Sequence, residues 1–316
     1  MKRWILVASA VTLGLLGGTC APRGLSPRTG MIDVPGGRVW YQIVGSGDRT
    51  PLLVLHGGPG VPSYYLKPLA ALGDERPVVF YDQLGCGRSP ALSDSSLWTI
   101  DRFVRELAAV RQALHLEKVH LYGTSWGTIL ALEYMRTRPA GVASIVMASP
   151  ALDIHQWSRD ADSLKRTLPD STQRVIADAE AHHTTNSPAY QNAMMEYYKL
   201  YVARRQPWSA DLDSSLAQIG QSVYQAMDGP SEFAVTGSLR DYDGRPYLND
   251  LHVPVLYTCG EFDEAVPRTV ASFAAATPGA QMRIFPNAAH CTALDDPQAY
   301  TAAIREFLRN VEKKGK

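Results

Sequence analysis

Gly123-Thr124-Ser125-Trp126-Gly127 sets a serine between two glycines, directly after the apolar run Val119–Tyr122 and directly before a helix-forming stretch. A serine on a sharp strand-to-helix turn exposes its hydroxyl, and flanking glycines let the backbone turn that tightly. Ser125 is therefore read as a nucleophile for acyl transfer. The pentapeptide by itself is weak evidence, and its strand–turn–helix setting is what gives it weight. The serine also opens a helix, whose free N–H groups and partial positive charge favour a developing anion. The Trp126 N–H is one expected oxyanion donor.

A second glycine-rich segment, His56-Gly57-Gly58-Pro59-Gly60, follows the apolar run Leu52–Leu55. Bare backbone N–H groups at the end of an early strand suit the other half of an oxyanion hole. Pro59 cannot donate, so the donor is Gly57, Gly58 or Gly60, and Gly58 is the choice. A phosphate-cradling loop is disfavoured, because no G-K-[ST] follows.

A serine nucleophile needs a base, and the base needs an orienting carboxylate. Eight histidines compete for the first role. His290 lies in the segment Asn287–Cys291, between the run Met282–Phe285 and the last helix, where the base belongs in the chain order Ser, Asp, His. His56 is placed to hold its own loop by hydrogen bonding. His115 and His120 bracket the start of a strand, His252 precedes one, and His155, His182 and His183 read as solvated. The acid is expected in the preceding loop, Cys259–Pro267, where Glu261, Asp263 and Glu264 compete and Asp263 is the choice. Asp241, Asp243, Asp295 and Asp296 end no core strand.

These groups must be held by a scaffold. Short apolar runs at Val39–Val44, Leu52–Leu55, Val78–Tyr81, Val119–Tyr122, Ser144–Ala148, Val253–Thr258 and Met282–Phe285 read as strands. Helices are expected at Ile100–Leu114, where Phe103, Leu107, Val110 and Leu114 form one stripe, at Trp126–Arg138, and at Pro297–Asn310. Buried strands alternating with helices argue for a parallel sheet in an α/β fold. The alternation lapses over residues 151–244, an aromatic-rich and mostly helical insertion between core segments 28–150 and 245–316. Residues 21–30 read as a linker.

The 316 residues carry 31 basic and 31 acidic side chains, a balance that disfavours nucleic-acid binding. Four cysteines are too few for a disulfide-built scaffold, and no clustered Cys/His set suggests a metal. No cofactor is implied. Lys2-Arg3, the apolar run Trp4–Leu16 and the small residues before Cys20 have the layout of a signal peptide over residues 1–20. The expectation is an exported, periplasmic protein, with lipidation of Cys20 as a possible membrane anchor. Leu16-Gly17-Gly18-Thr19-Cys20 is similar to a bacterial lipoprotein box, with Thr19 atypical.

HGGPG (56–60), YDQLGCGRS (81–89), GTSWG (123–127), GPSEFAVTGSLRDYD (229–243), GEFDEAVP (260–267) and NAAHCT (287–292) together resemble the proline iminopeptidase family of α/β-hydrolases. The resemblance implies a mostly parallel eight-stranded sheet with an inserted helical cap. It implies Ser125, Asp263 and His290 as the triad. It also implies release of N-terminal proline, or another small apolar residue, from short peptides or amides with a free N-terminus. Glu232 and Glu264 match the family's carboxylates that hold the substrate's amino terminus, and paired charge is what a buried ammonium requires. An amino-acid amidase or esterase on the same fold would share Ser125 without needing Glu232. Cys259 and Cys291 lie close to triad positions, either as a pair in an oxidising compartment or as two buried thiols.

Overall fold

The computed structural model describes residues 25–90, 92 and 94–314. The signal-like segment 1–20, with Cys20, lies outside these described residues.

The strands are β1 (Arg28–Val34), β2 (Gly37–Val44), β3 (Leu52–Leu55), β4 (Val78–Asp82), β5 (Val119–Ser125), β6 (Val142–Pro150), β7 (Val255–Gly260) and β8 (Gln281–Phe285). They form one eight-stranded sheet in the order β1-β2-β4-β3-β5-β6-β7-β8. β1 pairs antiparallel with β2, and β2 with β4, while every pairing from β4 to β8 is parallel. The central strands β3, β4, β5 and β7 are buried along their whole length. That explains why they read as unbroken apolar runs, as strands covered on both faces do. β2 alternates instead, with Val39, Tyr41 and Ile43 inward.

β1 is a correction to the linker expected over residues 21–30. Its sequence, RTGMIDV, is weakly patterned. It is held by a continuous register against β2, from Arg28 opposite Ile43 to Val34 opposite Gly37. Pairing supplied by a distant strand overrides a poor local signal.

The core helices are α1 (Ile100–Ala113) and α2 (Trp126–Arg136). The Thr99 hydroxyl caps α1 by accepting the Arg102 N–H. Five helices then run between β6 and β7: α3 (Ile154–Lys165), α4 (Asp170–Ala181), α5 (Pro188–Tyr201), α6 (Ala210–Ala217) and α7 (Gln221–Met227). Asp153, Ser187 and Ser209 cap α3, α5 and α6. The chain closes with α8 (Pro267–Ala276), α9 (Thr292–Asp295) and α10 (Pro297–Lys314). Neither α8 nor the 3-10 stretch Ser63–Asp74 was expected from the sequence.

Adjacent strand residues fall into different apolar clusters. Leu53, Leu55, Val79, Tyr81 and Leu121 pack with α1, α2 and α8 on one face. Leu52, Val54, Val78, Phe80 and Tyr122 pack with α10 on the other, in a cluster that continues into the inserted helices through Tyr190, Tyr197 and Phe233. The insertion is therefore built on the same hydrophobic core as the sheet. It also docks backbone to backbone: the Gly220 N–H donates to the Gly60 carbonyl at 2.9 Å. A Cβ at Gly220 would lie 2.2 Å from the Gly85 carbonyl oxygen, so only glycine allows this approach. Cys259 and Cys291 are both free, buried thiols.

Candidate active site

Ser125 ends β5 and sits at φ +52°, ψ −123°, a backbone conformation that costs a non-glycine residue free energy. The flanking glycines make the turn possible through close approach. A Cβ at Gly123 would lie 2.3 Å from the Gly127 carbonyl oxygen, and one at Gly127 would lie 2.2 Å from that of Leu55. Trp126 is the first residue of α2, so its N–H has no partner inside the helix.

Asp263 follows β7, and every direction of its carboxylate is occupied. Oδ1 accepts the Ala265 N–H at 2.8 Å and lies 2.9 Å from His290 Nδ1. Oδ2 accepts the Gly260 N–H at 3.1 Å and the Ser149 hydroxyl at 2.6 Å. A proton on Nδ1 shared with this carboxylate leaves Nε2 as the lone-pair nitrogen, the tautomer a general base needs. Burial pushes the His290 pKa down, but the charge and hydrogen bond of Asp263, with the charge of Glu232, outweigh it and raise it. The His290 loop is anchored to the end of α5: the His290 N–H donates to Tyr201 at 3.1 Å and the Cys291 N–H to Val202 at 2.7 Å. Trp157 meets the imidazole edge-on, with ring centroids 5.8 Å apart.

Sequence reasoning missed Ser149. It lies near the end of β6 at φ +44° and holds Asp263. The available signal was its place at the carboxyl end of a central strand, where α/β sheets gather site residues.

The loop 56–60 is held as expected of His56, but with more partners. The Gln83 N–H donates to His56 Nε2 at 2.8 Å, and His56 Nδ1 lies 3.0 Å from the Gly57 carbonyl. Burial lowers the His56 pKa and keeps the ring neutral. The Gln83 side chain joins this loop to the serine turn, donating to the His56 carbonyl at 3.0 Å and accepting the Trp126 indole N–H at 2.8 Å. Of the three candidate glycines, Gly57 already donates to the Tyr65 hydroxyl at 2.9 Å. Gly58, at φ +105°, lines the cavity beside Ser125.

That cavity holds about 960 Å³ between sheet and inserted helices. Ser125 and His290 are on its floor, and Tyr198, Tyr224, Glu232 and Phe233 come from the insertion. Glu232 accepts the Tyr224 hydroxyl at 2.8 Å, while Trp157 donates to its carbonyl at 2.7 Å. Glu264 is placed differently from Glu232. It is buried behind the imidazole, with Oε1 3.7 Å from His290 Nδ1, and neither carboxylate oxygen has a hydrogen-bond partner among the described residues. A third carboxylate, Asp228, also escaped sequence reasoning; its Oδ2 is likewise buried and unpartnered. Burial raises the pKa of all three, and their mutual repulsion raises those of Asp228 and Glu264 further. Among the described residues, no lysine or arginine lines the cavity, and no metal-binding cluster of His, Cys, Asp and Glu is present.

A strained serine at the end of the central strand β5, a buried Asp–His pair on the loops after β7 and β8 and a glycine loop after β3 define an α/β-hydrolase. Residues 50–297 match the family described as alpha/beta hydrolase fold. The chain is 42% identical over 286 residues to a proline iminopeptidase of Heyndrickxia coagulans, covering 89% of this chain and 99% of that one. It is 35% identical to a proline iminopeptidase of Levilactobacillus brevis over 280 residues, covering 86% and 93% of the two chains. Among solved structures, the Mycobacterium smegmatis proline iminopeptidase superposes with a TM-score of 0.84 at 35% identity, covering 92% of this chain and 100% of that one. VinJ superposes with a TM-score of 0.88 at 32% identity, covering 90% and 100%. The chain belongs to the proline iminopeptidase family.

Proposed function

We propose that this protein is a serine aminopeptidase that releases N-terminal proline from short peptides through an acyl-enzyme. The observation that carries this reading is Glu232 in the cavity wall with no lysine or arginine beside it. A buried carboxylate without a cation is unfavourable, and a cavity that holds Glu232 with Ser125 and His290 suits a positively charged ligand. A free amino terminus next to the scissile carbonyl supplies that charge.

The substrate ammonium docks against Glu232, with the charge of Glu264 behind it. The Ser125 oxygen bonds to the carbonyl carbon as its proton passes to His290 Nε2. The carbonyl oxygen takes up the electron pair and is held by the Gly58 and Trp126 N–H groups. Asp263 fixes the imidazole and stabilises its charged form. As the tetrahedral centre collapses, the C–N bond breaks and His290 returns the proton to the leaving amine. Water then adds to the acyl-enzyme and gives a proton to His290. The C–O bond to Ser125 breaks, the serine recovers a proton, and the free amino acid leaves.

The test compares Pro-β-naphthylamide with its N-acetylated form and a simple acyl ester. Rapid cleavage of the free-amine compound alone is expected. Equal cleavage of the acetylated compound, or turnover of the ester alone, would overturn the aminopeptidase reading.

We also propose export, supported by the basic start and apolar run of residues 1–16 and the small residues before Cys20. Mass spectrometry of the protein from its native envelope should find the N-terminus at or near residue 20, with or without lipid. An intact Met1 would reject export by cleavage.

A further inference from the structure

The cavity is far larger than the residue it releases in the proposed reaction. Its 960 Å³ or so lies near the top of the range of roughly 300–1,000 Å³ for sites that hold drug-sized ligands. One prolyl group fills a small part of that space, so most of it faces the leaving group. Val61, Met194, Met195, Leu212, Leu216 and Ile219 give this space an apolar wall, and the two methionines can reshape around different occupants. Asn186, Gln191, Gln221 and Gln225 are exposed lining residues and edge the cavity with uncharged amides.

The carboxylates on these walls have no basic side chain among them. Glu180 and Glu232 line the cavity, and Asp228 lines a small recess that shares Gly58, Ser125 and Glu232 with it. Among the described residues, neither space has a lysine or an arginine on its wall. Lys165 stands over the Phe233 ring but is not a wall residue, and it is already paired with Asp162 at 3.1 Å and Glu180 at 3.5 Å. Two imidazoles line the cavity. His290 must be neutral to take the serine proton, and His183 is exposed to solvent.

A free dipeptide brings an anion into this space. Its carboxylate is joined to the scissile nitrogen through one carbon. With bonds of about 1.5 Å, the carboxylate carbon lies within about 3 Å of that nitrogen. It cannot reach solvent while the scissile bond is over Ser125. There it has no cation to pair with and shares the cavity with charges of its own sign, and both are unfavourable. The amide of the same dipeptide has nearly the same shape and no charge.

We propose that the cavity beyond the nucleophile is a leaving-group subsite for uncharged, apolar amines, and that it discriminates against a carboxylate on the first leaving residue. Free prolyl dipeptides are then poor substrates, while their C-terminal amides and prolyl alkylamides or arylamides are good ones. This inference rests on the aminopeptidase reading above.

The experiment measures proline release by the native enzyme from Pro-Leu, Pro-Leu-NH2, prolyl isoamylamide, Pro-Gly-NH2 and N-acetyl-Pro-Leu-NH2. The kcat/KM for Pro-Leu-NH2 is expected to exceed that for Pro-Leu by about tenfold or more, and a smaller difference overturns the proposal. Prolyl isoamylamide lacks the carboxyl carbon altogether. Its kcat/KM is expected to lie closer to that of the amide than to that of the acid. The reverse would mean that hydrogen bonds to the amide, rather than the charge of the carboxylate, make the difference, and would overturn the proposal. Pro-Gly-NH2 is expected to be slower than Pro-Leu-NH2 by about fivefold or more, and a smaller gap overturns the apolar part. If the acetylated compound is cleaved as fast as Pro-Leu-NH2, the aminopeptidase reading itself fails. If the free amine keeps its advantage while acid and amide are cleaved alike, only the leaving-group inference falls.

Discussion

Two sets of buried carboxylates, one in the sheet core and one where the insertion meets it, are treated in opposite ways. In the core, Asp82 accepts from the Ser63 N–H and hydroxyl and from the Arg88 guanidinium at 2.7 Å. Arg88 is itself stacked on Trp40 and Tyr64. Burial pushes the Asp82 pKa up, yet Arg88 pulls it below the ordinary range. Glu106 is paired with Arg102 and accepts the Leu84 N–H. At the interface, neither Glu264 oxygen nor Asp228 Oδ2 has a hydrogen-bond partner among the described residues, and Glu264 Oε1 lies 3.7 Å from His290 Nδ1. The core carboxylates each have an arginine within the fold, and they hold loops in place. The interface carboxylates have no lysine or arginine beside them on the cavity or recess walls, which is where the proposed ammonium would supply the missing charge. Asp263 lies between these cases: it is saturated by hydrogen bonds, one of them to the imidazole it must serve.

The comparison can be broken or sharpened by substitution. Ser125→Ala should lower kcat on Pro-β-naphthylamide by roughly a millionfold and abolish fluorophosphonate labelling. Asp263→Asn should cost about 10⁴ in kcat, because the amide no longer selects the Nδ1–H tautomer; stopped assays at high enzyme concentration would measure it. Glu232→Gln should reduce the preference for free over acetylated substrate by roughly a hundredfold, the scale for removing one partner of a buried charge pair. Because the Glu232 charge helps to raise the His290 pKa, the acid limb of kcat/KM should also move to lower pH. An unchanged preference would put Glu232 with the structural charges.

The core set makes the reverse prediction. Arg102→Ala leaves Glu106 buried and uncompensated, and should cost about 3–5 kcal/mol of stability in urea titration. The smallest effect has the opposite sign. Glu264 titrates above its ordinary value in the folded chain, so the unfolded chain gives up this proton first as pH rises. Stability contributed by this group is therefore lost upward from about pH 4. Glu264→Gln should raise the unfolding midpoint at pH 8, with the advantage fading near pH 4. A lower midpoint at pH 8 would show that Glu264 is supported in a way its orphan oxygens do not indicate.

Much of this was legible in the chain. All seven strands from β2 to β8 lie where apolar runs predict them, and the central ones read so plainly because a strand buried on both faces has to be apolar throughout. The serine turn, the Asp263 loop and the His290 loop were legible because turn chemistry and chain order are local properties. β1 was not, since its stability comes from β2 rather than from its own residues. Helix α8 also lies outside the helices expected from the sequence, although Pro267 opens it.

Residue types and spacing thus determined the architecture of the sheet, the candidates for nucleophile, base and acid, and the family to which the chain belongs. Tertiary structure alone decided which charges are spent. That Gly57 is occupied by Tyr65, that Ser149 holds Asp263, that Glu264 stands behind the imidazole and that Asp228 and Ser125 line one recess are all long-range facts. Periodicity and turn signals report a residue's neighbours along the chain. A buried carboxylate is defined by what surrounds it in space, and the same Asp or Glu is a strut beside an arginine and a candidate for reading a cationic ligand on a cavity wall.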